Sequence, residues 1–119
     1  MKIKYFKLAK KMSKFSTHSQ HQLGAVIVRK TYIAGIGFNQ IKTHSRSPHP
    51  YKSIHAEFSA ILNSGESDLK NHDIYIYREK KDGTLGDSFP CAACLQMLRS
   101  LNINNIFYIK NGQFEKHHV

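Results

Sequence analysis

The order of apolar segments predicts an α/β fold on a mixed sheet of about five strands, and three observations support that expectation. Two runs dense in Val, Ile and Gly, 23–28 and 32–38, are separated only by Arg29-Lys30-Thr31, which reads as an antiparallel hairpin. Further strand-like runs at 73–77 and 105–109 alternate with segments of helical period. After them, Asn111-Gly112 is a strong two-residue turn signal, so the last strand should fold back antiparallel.

Taken in order, Tyr5, Leu8, Met12 and Phe15 recur at steps of three and four with lysines between them, the pattern of an amphipathic helix with that stripe inward. Residues 18–22 have no period and read as a loop at the rim of a site. Residues 40–53 form a loop rich in His, Ser and Pro, and a loop that long in a small domain is usually functional. The segment from His55 to Asn63 reads as a helix with Phe58, Ile61 and Leu62 inward and Gly65 as its C-terminal cap. The run 73–77 is bulky throughout, as in a central strand covered on both faces. A charged loop from Arg78 to Phe89 then leads to a helix from Cys91 to Leu101, with Leu95, Leu98 and Leu101 toward the sheet. That loop is expected to border the site, because open α/β sheets bind ligands beyond the carboxyl ends of their strands.

With 119 residues the chain reads as one domain, 1–119, whose core is small enough that a homo-oligomer is the natural source of further burial. No apolar run approaches the ~20 residues that cross a bilayer, and the N-terminal stretch lacks an apolar leader region, so no membrane is expected. Two cysteines used as thiolates imply a reducing, cytoplasmic compartment. A formal net charge of +10 points to an anionic substrate or partner.

The chemistry concentrates in His55-Ala56-Glu57 and Pro90-Cys91-Ala92-Ala93-Cys94. Cys91 and Cys94 stand about one helical turn apart, so their sulfurs can converge on one ion, and His55 supplies a nitrogen. Three ligands leave a fourth tetrahedral position for water, which suits a catalytic zinc, one per chain. Glu57 is then available as general acid and base. Residues two apart on a helix point to different sides, so His55 and Glu57 share a site only if the metal lies just off a helix N-terminus. Pro90, favoured in a first helical turn, suggests the same for the cysteines. A lone C-x-x-C equally marks structural zinc or redox sites, but a structural site needs four protein ligands and this chain has only two cysteines.

H-x-E followed by P-C-x-x-C is the signature of zinc-dependent nucleobase deaminases. On His55, Glu57, Pro90, Cys91 and Cys94, with Gly37-Phe38-Asn39, the sequence resembles the cytidine/deoxycytidylate deaminase superfamily from about Leu23 to Ile109. The resemblance implies a three-layer α/β/α domain in which the hairpin begins the sheet. It also implies small residues at Gly24-Ala25 beside the base and Asn39 at the sugar. The expected substrate-binding set is Asn39, Ala25, Ala56 and Phe89, with His44, Arg46 and Lys52 of the basic loop covering the substrate. His44 and His49 are alternatively a second, structural zinc site, as in some deoxycytidylate deaminases.

An antiparallel last strand is the arrangement of nucleoside deaminases and several toxin-type deaminases. Two features depart from the tetrameric nucleoside branch: His55 stands where Cys is common, and Ile41 where a Glu would hold a sugar hydroxyl. Together with the basic loops, they favour phosphorylated substrates. The leading expectation is therefore a hydrolytic deaminase converting cytosine to uracil in a nucleotide or nucleoside. The alternatives are a cytosine deaminase acting on single-stranded DNA or RNA, and a non-catalytic, zinc-stabilised nucleic-acid-binding module.

Overall fold

A computed structural model describes residues 2–17, 21–40 and 54–119. The elements are α1 (Ile3–Ser13), β1 (His21–Arg29), β2 (Tyr32–Phe38), α2 (Ala56–Ser64), β3 (Asp73–Lys80), α3 (Ala92–Ser100), β4 (Asn105–Lys110) and β5 (Gln113–His118). The strands form one five-stranded sheet in the order β2-β1-β3-β4-β5. Only β3 and β4 pair parallel, joined by the crossover through α3, and the other neighbours are antiparallel. The mixed sheet and the returning last strand agree with the sequence. Asn111 and Gly112 both have positive φ (51° and 76°), the backbone that lets a two-residue turn match the strand twist.

Alternation along β3 divides the core into two layers. Ile74 and Ile76 join Ala25, Ile27, Ala56, Ala60, Leu98 and Ile106 on the face covered by α2 and α3. Tyr75 and Tyr77 join Tyr5, Phe6, Ala9, Val26 and Phe107 on the face covered by α1. β3 is thus covered on both faces, as its unbroken bulky run implies.

Glycines set how closely the helices approach. A Cβ at Gly37 would lie 2.3 Å from the Ala60 amide nitrogen, so α2 rests on β2 with backbone against backbone. On the opposite face a Cβ at Gly24 would meet the Ala9 carbonyl oxygen of α1. Gly24 is therefore turned away from the α2 side, whereas Ala25, fully buried, faces Ala56 and Ala60.

Three local expectations are corrected. Helix α1 buries Tyr5, Phe6, Ala9 and Ser13, leaving Leu8 and Met12 half-buried and Phe15 58% exposed beyond its end. The close contact with Gly24 accepts small residues there, so the buried stripe is shifted by one position. His21 and Gln22 belong to β1, and Arg78 through Lys80 to β3, because the two strands pair in register from His21↔Lys80 inward. Pro90 precedes the N-cap of α3 rather than lying in its first turn. Gly65, with φ 67°, caps α2 and donates its N–H to the Leu62 carbonyl, as expected. No helix among the described residues is long and apolar enough to cross a membrane.

Candidate active site

Two helix starts meet over one end of the sheet. His55 is the N-cap of α2 and Cys91 the N-cap of α3, both with extended backbone (φ −73°, ψ 154° and φ −64°, ψ 166°). An N-cap side chain usually turns back to bond its own helix. Neither residue does so here. Their side chains meet each other instead, His55 Nδ1 standing 3.8 Å from Cys91 Sγ and 3.7 Å from Cys94 Sγ. The ligand atoms of the three residues all lie within 4.8 Å of one another, and neither cysteine is in a disulfide.

The donor set fits zinc. Tetrahedral angles with ordinary Zn–N and Zn–S bonds place a nitrogen and a sulfur ligand roughly 3.6 Å apart, close to the separations above. One imidazole and two thiols make three donors, and no fourth protein ligand joins them among the described residues. The protein thus brings together a metal-binding His/Cys/Cys triad of the kind its sequence suggests.

Glu57 enters from the first turn of α2 and is only 3% exposed. Its Oε1 is buried and has no hydrogen-bond partner among the described residues. Burial raises its pKa above the ordinary carboxylate value, against the opposing pull of its own backbone N–H and of the Cys94 thiol. Burial likewise pushes the Cys94 thiol up, helped by the charges of Glu57 and Cys91. These directions belong to the metal-free protein. A divalent cation inverts them locally, since a thiol must ionise to become a ligand.

Beside the triad lies a cleft of about 290 Å³ lined by His21, Leu23, Asn39, Gln40, His55, Ala56 and Arg78. It is at the small end of ligand-binding clefts, which run from ~300 Å³ upward. Asn39, 8% exposed, closes one wall: its Oδ1 accepts from the Leu23 N–H at 2.9 Å and its Nδ2 donates to the His21 carbonyl at 2.8 Å. One donor and one acceptor site of that amide remain for a ligand. Gln40 and Ile54 exchange backbone hydrogen bonds of 2.8 Å, tying the two ends of segment 41–53 beside His55.

Of the sequence-predicted residues, His55, Ala56 and Asn39 line this cleft, and Ala25 is buried in the same core layer as Ala56. Phe89, 40% exposed, sits instead in a second cleft with Tyr108, Lys110 and His117. His44, His49, Arg46 and Lys52 lie outside the described residues. Leu23, Gln40, His21 and Arg78 complete the lining; segments 18–22, 40–53 and 78–89 are expected at the site as loops, without a role for these residues individually. The signal for two of them was present: His21 continues the alternation of Leu23, Ala25 and Ile27, and Arg78 that of Ile74 and Ile76.

Residues 1–110 match the family described as the cytidine and deoxycytidylate deaminase zinc-binding region. The chain belongs to this deaminase family. It is 27% identical over 112 residues to an uncharacterized deaminase in the luxG 3′ region of Aliivibrio fischeri, covering 87% of this chain and 69% of that protein. It is also 27% identical over 121 residues to a probable deoxycytidylate deaminase of Caenorhabditis elegans, covering 91% of this chain and 56% of that longer protein. Among solved structures, the crystal structure of cytidine deaminase from Burkholderia pseudomallei superposes with a TM-score of 0.73 over 99% of this chain and 92% of its own, at 19% identity. That likeness establishes the shared deaminase fold. The triad and the family together make the chain a zinc-binding deaminase, a hydrolase by reaction class.

Proposed function

We propose that this deaminase hydrolyses the exocyclic amine of cytosine in a small nucleotide or nucleoside, releasing ammonia and leaving uracil, with Glu57 as the proton carrier. The observation that supports this most is the buried Glu57 carboxyl with an unpartnered Oε1 beside a thiol that belongs to the metal triad. An orphaned buried oxygen is costly unless a ligand or water completes it. A purely structural metal site has no use for one.

His55, Cys91 and Cys94 would hold zinc, which when bound would supply a water whose pKa is lowered to about 7. Glu57 would take a proton from the attacking water as the water oxygen bonds to C4 of the base, and would deliver that proton to N3. The same carboxyl then carries the remaining hydroxyl proton to the amine at C4, the C–N bond breaks, and ammonia departs as the C4 carbonyl forms. A pKa raised by burial suits a group that must hold and release protons in turn. Ala56, with no protruding side chain, gives the base room beside His55, and the remaining amide capacity of Asn39 serves the sugar.

The 5′-monophosphate is the favoured substrate level, because the net charge of +10 suits an anion and the cleft is small. The same charge, with Lys4, Lys7, Lys10, Lys11 and Lys14 exposed along and just beyond α1, favours single-stranded nucleic acid as the second reading. Incubating the zinc-loaded protein with cytidine, deoxycytidine, their monophosphates and a cytosine-containing oligonucleotide tests both. Uracil product from the monophosphates above all is expected. Product from the oligonucleotide alone would replace the first reading with the second, and no product from any would remove both.

A further inference from the structure

Arg78 stands at the carboxyl-terminal part of β3, on the same sheet face as Ile74 and Ile76, and its side chain lines the cleft beside the metal triad. Its environment is unusual for a structural arginine. Nη1 donates to the Asp87 carbonyl at 3.0 Å and Nη2 to His21 Nδ1 at 2.7 Å, two acceptors that carry no negative charge. Nε is buried and has no hydrogen-bond partner among the described residues. No carboxylate pairs with the guanidinium either, since the ion pair among the described residues joins Lys14 to Glu79. A Cβ at Gly86 would come within 3.0 Å of Arg78 Cδ and Nε, so a bare backbone at that position gives the side chain its place.

A guanidinium that is half out of water without an anion is poorly stabilised, and it is held here in one orientation by His21 on one side and the Asp87 carbonyl on the other. Such a fork, positioned in advance with donors to spare, matches the oxygens of a phosphate. The cleft also has the right layout. Asn39 follows β2, Leu23 and His21 lie on β1 and Arg78 on β3, so the lining crosses two strand spacings, on the order of 10 Å. That span accommodates a sugar phosphate beyond the base, which a bare base would leave unfilled.

We infer that Arg78 is the residue that recognises the 5′-phosphate of the substrate, with His21 and the Asp87 carbonyl positioning its fork. The inference takes the cytosine base from the function proposed above, and the phosphate from Arg78 itself. The anion-recognising group then lies on β3.

The experiment compares zinc-loaded wild type with Arg78→Gln in two assays. The first measures kcat/KM for deoxycytidine and its 5′-monophosphate, with a cytosine-containing oligonucleotide alongside. The second measures calorimetric binding of 2′-deoxyribose 5-phosphate, which has no base to deaminate. The ratio of monophosphate to nucleoside kcat/KM should fall about 10- to 100-fold, the loss of a charge-assisted hydrogen-bonded pair. Binding of the sugar phosphate should weaken in parallel. If Arg78→Gln fails to fold, Arg78→Lys keeps the charge and loses the fork, and should give a smaller fall in the same ratio. An unchanged ratio with unchanged sugar phosphate binding would overturn the assignment, as would a loss confined to the oligonucleotide. Arg78-dependent binding of the sugar phosphate without turnover of any cytosine substrate would uphold Arg78 and remove only the base from the proposed function.

Discussion

Ser88 and Ile109 hold each other twice: the Ser88 N–H donates to the Ile109 carbonyl at 2.9 Å, and the Ile109 N–H donates to Ser88 Oγ at 2.8 Å. The hydroxyl in turn donates to the Ile76 carbonyl at 2.8 Å. The parallel pairing of β3 with β4 runs only from Asp73↔Asn105 to Tyr75↔Phe107, and beyond it Ser88 bridges the two strands. The segment that delivers Pro90 and Cys91 is thereby anchored inside the sheet, three residues before the first cysteine of the triad.

Ser88→Ala removes that bridge and leaves the Ile76 carbonyl and the Ile109 N–H without it in a buried place. The expected cost is about 2 kcal/mol, from groups left unsatisfied rather than from lost packing. Urea unfolding of the zinc-loaded variant measures it, and zinc affinity should fall with it because Cys91 loses its anchor. A variant as stable as wild type, with unaltered affinity, would show that the bridge contributes nothing.

The zinc itself is open to direct test. Metal analysis should give one zinc per chain, and Cys94→Ala should lose it. His55 and Cys91 lie 36 residues apart and start different helices, so a chelator that strips the metal should also lower the unfolding midpoint. Full retention of zinc by Cys94→Ala would refute the ligand assignment.

On the α1 face of the sheet the alkaline limb of stability is predictable. Burial, and after it the charge and contact of Glu79, push the Tyr77 phenol up to about 12. An unfolded tyrosine ionises near pH 10. Between about pH 10 and about pH 12 the folded state therefore holds the proton that the unfolded state has lost, so stability falls as pH rises. The contribution of Tyr77 is fully present below about pH 10 and is lost through that window, at about 1.4 kcal/mol per pH unit. Urea unfolding of wild type against Tyr77→Phe across this range isolates the effect. Identical slopes for the two proteins would contradict it.

The sequence made the triad and its neighbouring carboxylate legible because their signal is short and chemical: His55, Cys91 and Cys94, with Glu57, bring the right atoms in a spacing that few other purposes require. The fold was legible wherever hydropathy alternated or a turn demanded positive φ, as at Asn111-Gly112. The phase of α1 was not, because its contact with β1 is made by Ala9 and Ser13 against Gly24, and small groups in close approach leave almost no hydropathic trace. Arg78 looked like the start of a charged loop. Its strand runs on because the next residue, Glu79, turns to the other face to meet Lys14 and Tyr77, leaving Arg78 free to reach the cleft. Phe89 shows the opposite failing of sequence: two positions from a metal ligand, its ring turns to Tyr108 and His117 and lines another cleft.

Glu57, in the function proposed, moves protons without binding the metal, and Glu57→Ala tests this most directly when activity, zinc content and unfolding midpoint are measured on the same preparation. The variant should keep its zinc and its fold while losing activity by at least about 100-fold, the loss typical of a removed general acid and base. Activity within a few fold of wild type would show that Glu57 is not the proton carrier, and loss of zinc would show that it belongs to the ligand set.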